Sequence, residues 1–124
     1  MGQSRILVVE DDRAVRRYMQ VILERAGYTV EVAADGLEAM KALLAASFDA
    51  VITDAIMPHL DGPQLCAFIR RTPSLSATPV ILLSGVEQQP QAASTESRAD
   101  AHLSKPIQPD ELTKTLARLL KGQK

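Results

Sequence analysis

Ala50-Val51-Ile52-Thr53 leads directly into Asp54, so a carboxylate stands at the end of a run of strand-forming residues. Further runs of the same length occur along the chain, and several are apolar without the alternation expected of a half-exposed strand. These runs are Ile6–Val9, Tyr28–Val32, Pro79–Leu83 and Ala101–Leu103. Continuous apolar runs are typical of parallel strands whose two faces are both covered by helices. The pattern therefore predicts five largely buried strands.

Helical periodicity occupies the gaps between the strands. Apolar residues from Val15 to Ala26 recur at helical spacing, with Asp12 placed as N-cap and Gly27 as the stop. A second helix is predicted after Asp35-Gly36, with Leu37, Met40, Leu43 and Leu44 on one face, and a third from Gly62 to Arg71. Residues 86–98 are expected to form a short and poorly packed helix. A final helix should begin at Pro109, with Leu112, Leu116, Leu119 and Leu120 facing the core. Alternating strands and helices with right-handed crossovers predict an α/β fold, a (βα)₅ doubly wound parallel sheet with strand order 2-1-3-4-5.

Length and composition favour one globular domain. The chain has 124 residues, 46% hydrophobic and 23% charged, which is enough for one core and too little for two ordinary domains. A formal charge of −1 gives no basic field, so we expect no direct nucleic-acid binding. The lone Cys66, the absence of a leader pattern and the absence of an apolar run of bilayer length favour the cytoplasm, with no membrane segment. We expect a single domain over residues 1–124.

Polar and charged residues follow four of the predicted strands. The first strand runs into Glu10-Asp11-Asp12, the third into Asp54, the fourth into Ser84-Gly85 and the fifth into Ser104-Lys105-Pro106. In doubly wound sheets, ligands bind beyond the carboxyl ends of the strands, near the point where strand order reverses. We therefore expect these residues to converge on one rim of the sheet.

Converging carboxylates repel one another unless a cation compensates their charge. Mg²⁺ prefers oxygen ligands, commonly one or two carboxylates with water and phosphate oxygens, and Glu10, Asp11 and Asp54 could supply such a set. Asp12 is more simply explained as a helix cap. The acidic residues expected at this rim therefore predict a magnesium site.

Asp54 is the candidate for covalent chemistry at this rim. A carboxylate beside Mg²⁺ can attack phosphorus and form an aspartyl phosphate, because the metal screens its repulsion from the phosphoryl oxygens. Lys105 would place an ammonium group on those oxygens, and Ser84 could donate a hydrogen bond to another. An acidic turn, a Ser-Gly or a Lys-Pro alone usually marks a loop. Their joint occurrence at four strand ends is what indicates phosphoryl transfer.

Over essentially its whole length the chain resembles the receiver domains of bacterial two-component response regulators, which have a flavodoxin-like fold. The matching segments are Ile-Leu-Val-Val-Glu-Asp-Asp (6–12), Ala-Ala-Asp-Gly-Leu-Glu-Ala (33–39), Asp-Ala-Val-Ile-Thr-Asp-Ala-Ile-Met-Pro-His-Leu-Asp-Gly (49–62), Pro-Val-Ile-Leu-Leu-Ser-Gly (79–85) and Ala-Asp-Ala-His-Leu-Ser-Lys-Pro (99–106).

The resemblance implies a role for each residue of the acidic rim. Asp54 would be the phosphorylated aspartate, and Glu10 and Asp11 the acidic pair, with Asp11 a direct Mg²⁺ ligand and the backbone carbonyl of Ile56 a further one. Lys105 would contact the phosphate. The donor would be a histidine kinase or a histidine phosphotransfer protein, and the domain would be a signalling module rather than an enzyme.

The resemblance also implies a switch and an output surface. Ser84 occupies the hydroxyl switch position, and His102 stands where the family usually has Tyr or Phe. A cis peptide is expected before Pro106. The predicted fourth helix, the fifth strand and the final helix would signal to an unknown downstream effector, and the resemblance also allows a phosphorylation-dependent dimer. Ile56 and Val86 are apolar where relatives often carry polar groups that guide water, which predicts slow loss of phosphate.

Other functions remain open on the residues alone. A receiver-like module that binds partners without phosphorylation is the main alternative, because residues 86–98 and His102 are unusual. A phosphatase of the haloacid dehalogenase type would need an Asp-x-Asp motif, which the sequence lacks. A flavin site would need a loop rich in Ser, Thr and Gly after the first strand, where Glu10-Asp11-Asp12 would repel phosphate.

Overall fold

The computed structural model describes residues 3–85 and 99–121, so the helix expected over 86–98 lies outside the described residues. Within them, strands and helices alternate in the predicted order. Their bounds are β1 (Arg5–Val9), α1 (Arg13–Arg25), β2 (Thr29–Ala33), α2 (Gly36–Ala45), β3 (Ala50–Asp54), α3 (Gly62–Arg71), β4 (Val80–Ser84), β5 (Ala101–Ser104) and α4 (Pro109–Lys121). In this part of the chain, no helix combines the length and the apolar character needed to cross a membrane.

The five strands form one parallel sheet in the order β2-β1-β3-β4-β5, as predicted. The register sets Val9 opposite Thr53. Asp54 lies opposite Leu83, and Ser84 lies opposite Ser104. The carboxyl ends of β1, β3, β4 and β5 are therefore level with one another, and the residues that follow them share one rim.

Alternate residues of β1, β3 and β4 enter two separate cores, one on each face of the sheet. Ile6 and Val8 of β1 pack on the face covered by α1 and α4. Leu7 and Val9 pack on the face covered by α2 and α3. All four side chains are fully buried. This double burial explains why the strands read as unbroken apolar runs.

Side-chain caps fix where three of the helices begin. The Asp12 carboxylate accepts a hydrogen bond from the Val15 N–H (3.1 Å), which confirms Asp12 as the N-cap of α1. Asp35 caps α2 in the same way, and Asp61 and Gln64 form a reciprocal capping box at α3. Gly27 has φ of 100°, which explains why a glycine ends α1.

The apolar face of α2 formed by Leu37, Met40, Leu43 and Leu44 is only partly covered. Leu37 is 49% exposed and Leu44 is 66% exposed, whereas Gly36, Ala39 and Leu43 are the buried residues. A Cβ at Gly36 would collide with the backbone oxygen of Leu60, so the helix approaches this loop through its smallest residue. This close approach turns Leu37 and Leu44 outward.

Candidate functional site

Three carboxylates meet at the rim of the sheet. Glu10 follows β1 and Asp54 ends β3, and these strands are neighbours in the sheet. Glu10 is 1% exposed and Asp54 5% exposed, whereas Asp11 is exposed to solvent. Carboxylate oxygens of the three residues lie within 4.8 Å of one another. The structure thus brings together the acidic residues that the sequence singled out.

Glu10 is held by the backbone around it. Its N–H donates to the carbonyl of Ala33 (3.1 Å), and its Oε2 accepts from the Asp12 N–H (3.0 Å). The Arg16 guanidinium donates to the Glu10 carbonyl (3.0 Å). Glu10 Oε1 is buried and has no hydrogen-bond partner among the described residues. Oε1 instead forms an ion pair with the Lys105 ammonium at 3.4 Å, and a buried carboxylate oxygen that faces a cation suits a metal ligand.

Lys105 supplies the positive charge opposite the carboxylates. Its Nζ lies 3.0 Å from Asp54 Oδ2 and 3.4 Å from Glu10 Oε1. Its backbone N–H donates to the carbonyl of Ser84 (2.8 Å), which ties the residue after β5 to the end of β4. The Lys105-Pro106 peptide is cis, as expected.

Burial and charge displace two pKa values at the site. Burial raises the pKa of the Glu10 carboxyl to about 7, and repulsion from Asp54 adds to this, while the Asp12 N–H and Lys105 oppose it. Burial lowers the pKa of Lys105, but its hydrogen bond and ion pair with Asp54, together with Glu10, outweigh burial and leave that pKa raised. Lys105 is therefore firmly cationic.

The loop from Asp54 to α3 is closed by backbone contacts. The Ala55 N–H donates to the Leu83 carbonyl (2.8 Å), and the Gly62 N–H donates to the Ala55 carbonyl (2.9 Å). A Cβ on Gly62 would collide with the backbone oxygen of Asp54 and approach the Ala55 Cα to 2.9 Å. Ile56, the expected carbonyl ligand, lies in this loop with its side chain 56% exposed. A glycine at 62 is thus needed where α3 begins beside Asp54.

Ser84 and His102 occupy the neighbouring strands β4 and β5. Ser84 is half-buried at the end of β4, on the same rim as Asp54. His102 pairs in register with Leu82, and its side chain is exposed. Val86, the other apolar position predicted to slow the loss of phosphate, falls outside the described residues.

Sequence reasoning missed three residues that shape this site. Arg16 anchors the Glu10 backbone, and Gly62 permits the close approach of α3 to Asp54. His59 has φ of 71°, and the Leu60 N–H donates back to the Pro58 carbonyl (2.8 Å), so the loop turns sharply at His59. Of these three residues, only Gly62 could have been identified from the sequence. A glycine directly after the cap Asp61 is a poor helix former, so its presence there suggests a close contact.

A doubly wound parallel sheet with an acidic cluster and a lysine at its carboxyl edge defines a receiver-type signalling domain. A family model described as the response regulator receiver domain matches residues 6–117, and the chain belongs to that family. The resemblance found in the sequence is thereby confirmed.

Curated relatives and solved structures agree with this assignment. The response regulator MprA of Mycobacterium ulcerans is 38% identical over 121 residues, which are 97% of this chain and 51% of that protein. The chain thus spans about half the length of the curated relatives it matches. The receiver domain of a signal transduction histidine kinase from Syntrophus aciditrophicus is 36% identical, with a TM-score of 0.91, and the match covers 98% of this chain and 92% of that one.

One solved neighbour bears on the acidic cluster. The receiver domain of a sensor histidine kinase from Pseudomonas aeruginosa PAO1 is 27% identical, with a TM-score of 0.89, and the match covers 97% of this chain and 99% of that one. Its crystal structure has a magnesium ion coordinated in the active-site cleft.

Proposed function

We propose that this receiver domain, formed by residues 1–124, accepts a phosphoryl group on Asp54 from the phosphohistidine of a histidine kinase or histidine phosphotransfer protein. One observation carries the proposal: a buried Asp54 carboxylate lies 3.0 Å from the Lys105 ammonium and within 4.8 Å of the Glu10 and Asp11 carboxylates. A nucleophile, a phosphate-binding cation and a set of oxygen ligands for a metal are thus assembled on one rim.

Asp54 would act as the nucleophile, and its surroundings suit that role. Its backbone is fixed through the contacts of Ala55 and Gly62, so the carboxylate is held at one place on the rim. Lys105 would move from its ion pair with Asp54 to the phosphoryl oxygens, and its side chain is 28% exposed, which leaves it accessible to a phosphate. Ser84 would donate its hydroxyl proton to another phosphoryl oxygen.

Glu10, Asp11, Asp54 and the Ile56 carbonyl would hold Mg²⁺. When bound, the metal would neutralise the charge that develops on the transferred phosphoryl group. The buried Oε1 of Glu10 supports this assignment, because it makes no hydrogen bond among the described residues and faces the Lys105 ammonium at 3.4 Å, so a divalent cation would replace that ammonium as its partner when Lys105 turns to the phosphoryl oxygens.

Signalling would require a change at Ser84 and His102 when Asp54 is phosphorylated. The exposed His102 side chain leaves room for a rotamer change on β5. The surface of β5 and α4, together with the segment before β5, would then present a new face to a downstream effector or to a second copy.

Intact-mass measurement tests the phosphoacceptor role. The protein treated with acetyl phosphate and Mg²⁺ should gain one phosphoryl group, and a chelator should suppress the gain. Asp54→Asn should abolish it and Lys105→Met should slow it. Asp49→Asn is the matched control, because this exposed aspartate lies just before β3 and its substitute can still accept the Arg5 N–H. No adduct on the wild-type protein would favour an interaction module that acts without phosphorylation.

Magnesium titration tests the ligand set separately. Asp11→Asn should weaken Mg²⁺ binding by about ten-fold or more. Asp12→Asn should change it little, because asparagine caps a helix as well as aspartate does and Asp12 is proposed as a cap only. Equal losses in the two variants, measured by calorimetry, would contradict this division of roles.

A further inference from the structure

The outer surface of α2 lacks the polar character expected of a helix in contact with water. Its sequence, GLEAMKALLA, contains only two charged residues, Glu38 and Lys41, although only Gly36, Ala39 and Leu43 are buried. Leu37, Met40, Lys41 and Leu44 follow the spacing that places residues on one side of a helix. Leu37 and Leu44 on that side are among the most exposed large apolar residues described. A helix that is apolar on nearly all sides is normally covered on all sides.

This apolar side continues into a groove between α2 and α3. The groove has a volume of about 480 Å³ and is lined by Met40, Leu60, Pro63, Gln64, Ala67, Phe68 and Arg71. We call these residues, together with Leu37, Lys41 and Leu44, the α2–α3 surface. Continuous exposed apolar area of this kind marks an interaction site more often than scattered apolar residues do.

Two cationic side chains, Lys41 and Arg71, stand on the two helices that border the groove. Lys41 lies on α2 beyond Leu37 and Leu44, and Arg71 ends α3 on the opposite side of the groove. Neither forms an ion pair among the residues that the structure describes. The carboxylates of these elements are held by backbone groups rather than by Lys41 or Arg71: Glu38 accepts the Ala34 N–H (2.9 Å) and Asp61 caps α3. Within the part of the chain that the structure describes, the apolar strip is therefore flanked by two cations without an ion-pair partner.

We propose that the α2–α3 surface binds an amphipathic helix of a partner protein, with apolar side chains in the groove and acidic residues on both flanks. An amphipathic helix binds such a groove through apolar side chains at every third or fourth position. Leu37, Met40 and Leu44 of α2 have the same spacing and would contact those side chains. The flanking carboxylates would pair with Lys41 and Arg71 and would select against basic helices. The surface shares none of its residues with the acidic rim, although Leu60 belongs to the loop that joins Asp54 to α3.

A titration of the ¹⁵N-labelled chain with synthetic helical peptides tests the proposal. All the peptides carry leucines at helical spacing. The residues that flank these leucines are glutamate in one set of peptides and lysine in the other. The glutamate peptides should shift the amide resonances of the α2–α3 surface and bind about ten-fold more tightly than the lysine peptides. Leu44→Glu should weaken binding of the glutamate peptides by about ten-fold or more, and it should fold normally because Leu44 is 66% exposed.

Charge reversal gives the sharpest outcome and has a matched control. The double variant Lys41→Glu with Arg71→Glu should prefer the lysine peptides. The control, Arg17→Glu with Arg25→Glu, reverses two arginines at a groove of about 610 Å³ between α1 and α4 and should leave the preference unchanged. Three results would overturn the proposal: no binding by the panel at millimolar concentration, binding lost only in the α1 control, or a concentration-dependent dimer of the chain abolished by Leu44→Glu.

Discussion

Replacing Glu10 with glutamine should remove a specific pH dependence from the stability of the metal-free protein. Glu10 is 1% exposed, and burial raises its pKa from 4.5 to about 7. Below the unfolded pKa the carboxyl is neutral in both states and burial costs little. As pH rises, the unfolded chain releases this proton first, so the free energy of unfolding falls until the folded protein also ionises near pH 7. At about 1.4 kcal/mol for each pH unit, the loss is on the order of 3 kcal/mol.

Urea unfolding followed by circular dichroism measures this effect in the presence of a chelator. The wild-type protein and Glu10→Gln should differ least near about pH 4.5, and the variant should be more stable by about 2–3 kcal/mol near about pH 8. Glutamine can still accept the Asp12 N–H, so the backbone around the site should be kept. Glu24→Gln, which changes an exposed glutamate of α1, is the control and should follow the wild-type curve.

Added Mg²⁺ should reverse the order, because the metal stabilises the ionised Glu10 of the wild-type protein and gains less from the amide. Wild-type and Glu10→Gln curves that stay parallel across the whole pH range would refute the reasoning, since Glu10 would then titrate alike in the folded and unfolded chain.

Three further substitutions test the loop around the site. His59→Gly should raise the free energy of unfolding by about 1 kcal/mol in urea, because glycine adopts a φ of 71° without strain; an equal gain in His59→Ala would exclude this cause. Gly62→Ala should lower the melting temperature and cost about 2 kcal/mol or more, because its Cβ would collide with the backbone oxygen of Asp54; unchanged stability would contradict that contact. Ile56→Asn should shorten the lifetime of the phosphoryl group several-fold, measured by intact mass after the donor is removed, whereas Ile56→Val should not, because only the amide can guide an attacking water. A longer lifetime in the asparagine variant would count against a water-excluding role for Ile56.

The fold and the rim could be predicted because both follow from short-range patterns. Ile6–Val9 and Val80–Leu83 read as buried parallel strands, since their two faces enter different cores. Once the strands are parallel, Glu10, Asp54 and Lys105 must lie on the same edge of the sheet, whatever their separation in the sequence. The caps Asp12 and Asp35 were also predictable, because a cap acts within three residues of its own position.

Other features depend on contacts between distant segments and left no periodic signal. The rotation of α2 follows from Gly36 packing against Leu60, and helical spacing alone could not choose between the side with Leu43 and the side with Leu37 and Leu44. The pKa of Glu10 likewise depends on how deeply β1 and β3 bury its carboxyl. The sequence identifies such residues, but their burial and contacts depend on tertiary packing.

Mapping the phosphorylated residue tests the central claim most directly. The protein is treated with acetyl phosphate and Mg²⁺, the acyl phosphate is reduced with borohydride, and the peptides are sequenced by tandem mass spectrometry. We predict that the aspartate at position 54 is converted to homoserine and that Asp11, Asp12 and Asp61 are unchanged. A phosphoryl group found on Ser84 or on another carboxylate, with Asp54 unmodified, would contradict the account.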